Sequence, residues 1–140
     1  MQRTKRRGAN AIEFGLTMPV FFAMIMGVID FGYYFGAQAI LDAAVLEGTR
    51  EGAITDPASG ADLEQIGEDR MEQIASMICG SDCTYQCIDQ TVTLNVAGDN
   101  EQVRELVCEV NWAMTPLVGF VPMPPNVNAK GRQILEWQRN

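Results

Sequence analysis

The chain has 140 residues, 47% of them hydrophobic, enough for about one modest domain with or without an anchor. Its charges are sorted: Arg3, Lys5, Arg6 and Arg7 bring the first eight residues to +4, and the rest holds six basic residues against all 18 acids, a net near −12. That acidic remainder argues against a nucleic-acid partner, because neutralising a phosphate backbone needs Lys and Arg, and the absence of histidine removes the Ser-His-Asp and Cys-His nucleophile arrangements.

After the basic cluster comes an uncharged run from Phe14 to Ile29, FGLTMPVFFAMIMGVI. From Glu13 to Asp30 a helix would rise about 25 Å, close to a bilayer core of ~30 Å once flanking residues take a share. Phe31, Tyr33, Tyr34 and Phe35 supply the aromatic belt of a membrane interface. With the positive charge ahead of the span, the N-terminus is expected in the cytoplasm and everything after about Phe35 outside. Glu13 does not forbid insertion. A charge at a helix centre costs ~2.5 to 3.5 kcal/mol, Glu13 lies at the edge, and the eight Phe, Leu, Ile and Val residues of the run contribute about −2.4 to −4.8 kcal/mol together. Pro19 is expected to kink the helix. Ala37-Gln38-Ala39 offers a secretory cleavage site, but a 39-residue signal is over-long and Asp30 would interrupt it.

Beyond the interface the helical pattern continues through Gln38, Leu41, Val45 and Glu47 to Gly48 or Gly52, with a small face of Ala37, Ala44 and Gly48 suited to close packing. Thr55 to Gly60 is a loop. Asp62 to Ile78 reads as an amphipathic helix with Leu63, Ile66, Arg70, Ile74, Met77 and Ile78 on one face and Glu64, Glu68, Asp69 and Glu72 mostly elsewhere. Thr91 to Ala97 alternates as a strand with Val92, Leu94 and Val96 on one side, and Gly98-Asp99-Asn100 signals a turn. Leu106, Cys108, Val110, Trp112 and Met114 form the apolar face of a returning strand. A proline-rich loop spans Thr115 to Asn126, and Val127 to Trp137 reads as a last strand. The predicted fold class is α+β: a long N-terminal transmembrane helix followed by a small domain in which the Asp62 helix covers one face of an antiparallel sheet.

Cys79, Cys83, Cys87 and Cys108 crowd into thirty residues behind the span, which favours disulfides in an oxidising compartment over a Cys₄ zinc site with its unusual three-residue gaps. Without C-x-x-C there is no thiol-oxidoreductase signal, without a glycine-rich loop no phosphate cradle, and the acids are scattered. No catalytic residue, metal or cofactor is expected. For the pairing, Cys108 shares the core parity of Leu106 and Val110, while parity carried back from Val92 puts Cys87 on the opposite face. Cys79–Cys108 with Cys83–Cys87 is the arrangement that asks least of the backbone.

What a generic anchor does not explain is Arg7-Gly8-Ala9-Asn10-Ala11-Ile12-Glu13-Phe14, in which Glu13 follows the glycine by five residues. With Pro19, Asp30-Phe31-Gly32 and Ala44-Val45-Leu46-Glu47-Gly48-Thr49-Arg50, this resembles the TadE-like pseudopilins of the Tad (Flp) type IV pilus system, over about Arg7 to Ala53. The resemblance implies a leader of residues 1–8 cut between Gly8 and Ala9 by a prepilin peptidase. It further implies a transmembrane and stalk helix over 9–52, a disulfide-braced periplasmic domain over 53–140, and Glu13 and Phe14 as assembly contacts. The implied partners are other pilins or pseudopilins, an inner-membrane assembly platform and the lipid bilayer. The implied location is the inner membrane, single-pass, with the pilus as a further destination. A single-pass membrane protein whose outer domain binds a ligand or partner is the alternative.

Overall fold

A computed structural model describes residues 4–96, 99–119 and 121–135 of the chain, with side chains described from Ala11 onward except those of Val96 and Asp99. The expected turn glycine Gly98, the end of the last strand at Trp137 and the leader residue Arg3 lie outside the described residues. The elements are helix α1 (Thr4–Ile54), helix α2 (Leu63–Cys79), and strands β1 (Cys83–Val96), β2 (Asp99–Ala113) and β3 (Asn126–Ile134). The class is α+β. α1 runs as one helix of 51 residues with Pro19 inside it. The chain divides into two compact units, Met1–Phe35 with Thr115–Met123, and Gly36–Met114 with Pro124–Asn140. Packing therefore groups residues 36–54 with the sheet, whereas the sequence reading drew its boundary after residue 52.

In the larger unit the chain leaves α1 through a capped turn. Asp56 accepts the Ala58 N–H at 2.8 Å, and Gly60 takes the positive φ of 76° that closes a short 3₁₀ turn. Asp62 then caps α2, its carboxylate accepting the N–H groups of Glu64 and Gln65. Gly80 ends the helix with φ 55°. The buried ridge of α2 is Leu63, Gly67, Met71, Ala75 and Cys79, spaced four apart. The expected stripe was centred one position off: Ile66, Ile74 and Ile78 are only half-buried, and Met77 is 80% exposed. Small residues form the centre of the contact because α2 lies too close to its neighbours for larger ones.

That close approach is explicit at three glycines. A Cβ on Gly48 of α1 would stand 2.7 Å from the carbonyl oxygen of Gly67, and one on Gly52 would stand 2.8 Å from that of Leu63, so α1 and α2 touch backbone to backbone. On β3 a Cβ at Gly131 would meet Val45 Cγ1 at 2.7 Å. The 36–54 part of α1 thus lies across the same sheet face as α2, with Ala37, Leu41, Ala44, Val45 and Thr49 buried. The hydroxyl of Thr49 donates to the Val45 carbonyl at 2.7 Å, satisfying a polar group that the packing removes from water.

The sheet is antiparallel in the order β1-β2-β3. Leu106, Cys108, Val110, Trp112 and Met114 of the central strand are buried as expected. On β1 the expected parity is inverted. Cys83 and Cys87 are buried, whereas Ile88 and Leu94 are exposed, so Val92 and Leu94 belong to the uncovered face. Cys87 pairs directly opposite Cys108 in the register, and directly opposed residues share a face. The disulfides are accordingly Cys79–Cys83 and Cys87–Cys108, which corrects the expected Cys79–Cys108 and Cys83–Cys87 pairing. The apolar alternation of 92–96 lies beyond the reach of the helices, and carrying it back along the strand assigned Cys87 to the wrong side.

Candidate functional site

The first half of α1 is the chain's most unusual surface. Ala11–Ile54 is long and apolar enough to cross a membrane by length and composition. Ile12 is 75% exposed and Leu16 78%, and Phe14, Val20, Phe21, Phe22 and Met24 are all exposed as well. In water such a surface would be an association liability; in lipid it is the requirement, and a helix keeps its backbone bonds within itself. Glu13 is also exposed, a carboxylate set between Ile12 and Phe14. Thr17 returns its hydroxyl to the Glu13 and Phe14 carbonyls at 3.1 and 3.2 Å, the usual way for a threonine to satisfy itself inside an apolar helix. Gly8 and Ala9 fall within the first turns of α1.

At the other end of the span Asp30 is fully buried. The Val118 N–H donates to its Oδ1 at 2.8 Å, and Val121 Cγ2 lies 3.5 Å from where a Gly27 Cβ would be. The proline-rich loop therefore packs on the helix inside the smaller unit, which sequence reasoning missed. Asp30 followed by aromatics looked like an interface step. The only signal for more was an uncharged stretch from Val110 to Ala129 in an otherwise acidic chain.

In the larger unit two acids that the sequence placed off the apolar face of α2 have structural work. β1 is an edge strand, and its outward N–H groups at Cys87 and Asp89 donate to Glu68 at 2.9 Å and Glu64 at 2.8 Å. Residues four apart on α2 thus match alternate residues on the strand and blunt an edge that would invite another chain. Arg70 reaches Glu51 at 3.1 Å and Arg104 pairs with Asp89 across the hairpin. Such half-exposed pairs contribute at most about 1 kcal/mol each. On the uncovered face the Asn111 side chain and then Lys130 hold the Glu109 carboxyl below its ordinary value. All four cysteines are in disulfides.

Residues 8–50 match the family described as TadE-like protein, a segment that opens at Gly8 and carries Glu13, Phe14, Pro19, Asp30 and Gly48. No curated protein and no solved structure matches the chain.

Proposed function

We propose that this chain is a pseudopilin or minor pilin that serves assembly of a Tad (Flp) type IV pilus or a related secretion apparatus, and is not an enzyme. The observation that carries the proposal is the TadE-like segment, in which Gly8 precedes Glu13 by five residues at the start of an exposed apolar helix. The chain sits in the inner membrane with its basic end in the cytoplasm and its disulfide-braced domain in the periplasm. A prepilin peptidase cuts between Gly8 and Ala9; glycine in the helix lowers the cost of unwinding there by about 1 kcal/mol relative to alanine. Cleavage removes four positive charges and creates an ammonium on Ala9.

Glu13 and that ammonium have the same difficulty, since each is expensive in an apolar layer unless paired. When helices of neighbouring pilins stack, Glu13 of one pairs with the amine of the next, and both penalties fall. The pairing also fixes the axial register, as a buried polar residue does in a coiled coil.

Losing one partner of a buried pair costs about 3 to 5 kcal/mol. Glu13→Ala should therefore leave membrane insertion intact while sheared pilus output falls by about tenfold or more. Equal output from mutant and wild type would refute the pairing.

A further inference from the structure

We infer that the loop Thr115–Met123 is a second membrane contact, an apolar wedge that lies in the outer interfacial layer beside the span. The inference rests on the reading of α1 as a membrane-spanning helix. Val118 is bonded to Asp30 and Val121 packs at Gly27, so the loop runs along α1 back toward the middle of the apolar segment. Gly27 and Asp30 stand about 20 and 24 Å above Phe14 at ~1.5 Å per residue, within a hydrocarbon core of ~30 Å that starts near there. What packs on Gly27 is thus at lipid depth.

The loop's chemistry suits that depth. Leu117 is 65% and Val118 43% exposed, on the same unit as exposed Val28 and Phe31. No charged residue occurs from Val110 to Ala129. Irregular backbone in lipid is costly because its N–H groups lack water. Within the loop Pro116 and Pro122 have no N–H to satisfy, and the Val118 N–H is satisfied by the Asp30 carboxylate. Asp30 is in turn supplied with a donor where an unsatisfied carboxylate would oppose insertion. Exposed apolar side chains on an uncharged loop fit the boundary of headgroups and acyl chains, where such faces bury by about 5 to 10 Å and water still reaches the backbone.

The test uses the full chain in phosphatidylcholine–phosphatidylglycerol vesicles, with an environment-sensitive fluorophore on Leu117→Cys. The four native cysteines are in disulfides and do not compete for the label. Phe22→Cys serves as the deep control and Glu101→Cys as the aqueous one. A doxyl group near the top of the lipid acyl chain should quench the emission at position 117 and one near the chain's end the emission at position 22, as expected for a side chain in the interfacial layer and one in the core, and aqueous iodide should leave both unchanged. Iodide quenching at 117 with lipid quenching at 22 would overturn the wedge and leave the span intact. Shielding of 117 from both quenchers would mean that protein covers the loop, and would also overturn the inference. Absence of lipid quenching at both 22 and 117 would remove the membrane reading itself.

Discussion

Cys87→Ser and Cys108→Ser should destabilise the sheet-containing unit equally, by about 3 kcal/mol each, because they open the same bridge. The Cys87–Cys108 bond spans 21 residues of sequence, for which loop-closure entropy gives roughly that value. Cys79→Ser and Cys83→Ser open a bridge of separation four and should cost only about 2 kcal/mol. The contrast is sharpened by location. The Cys87 and Cys108 sulfurs lie 2.8 and 3.3 Å from where a Cβ on Gly67 would sit, so this bridge is also part of the core beneath α2. Denaturant unfolding of the full chain in detergent, followed by the near-ultraviolet signal of Trp112, reads the difference. Cys108→Ser matching Cys79→Ser instead of Cys87→Ser would restore the pairing that strand parity first suggested.

Gly48→Ala should be strongly destabilising for a change of one methyl group. In an isolated helix the substitution is favourable by about 1 kcal/mol. Here the new Cβ would stand 2.5 Å from Met71 Cγ and 2.7 Å from the Gly67 carbonyl oxygen. Met71 can turn aside, but the carbonyl belongs to the backbone of α2 and moves only with the helix. Overpacking of this kind costs typically 1 to 3 kcal/mol, occasionally more, and the contact with rigid backbone puts it at the upper end. A net loss of about 2 kcal/mol or more is expected after the gain in helix propensity. Gly15→Ala is the internal control, since nothing lies within 4 Å of a Cβ there. It should leave the domain's unfolding midpoint unchanged. A Gly48→Ala chain as stable as wild type would mean that α1 and α2 do not approach as described.

The parts legible in the sequence were those that obey a single period or a charge asymmetry. The apolar run after the basic cluster located the long apolar helix, and the alternation from Leu106 to Met114 located the buried face of β2. The amphipathic pattern from Asp62 to Ile78 located α2, which runs from Leu63 to Cys79. What escaped was decided by contacts between elements. Hydrophobicity put Met77 and Ile66 at the centre of the α2 face, yet Gly67 and Ala75 occupy it because helix meets helix at backbone distance. The alternation of Val92 and Leu94 was real but belonged to the face that no helix covers, so extrapolating it reversed Cys87. Glu64 and Glu68 were placed only off the apolar face of α2, because nothing local reveals that an edge strand will present N–H groups to them. Asp30 likewise finds its donor 88 residues away, at Val118.

The central claim is that Gly8 ends a leader and Glu13 is the fifth residue of the mature chain. Intact-mass measurement of the protein from a host expressing the matching prepilin peptidase tests it most directly. The account predicts loss of MQRTKRRG and a mature chain beginning at Ala9. A chain that keeps its basic N-terminus in that host would favour a plain single-pass anchor with a partner-binding outer domain, and a start at Ile40, just after Ala39, would mean a secretory signal; either result would contradict the account.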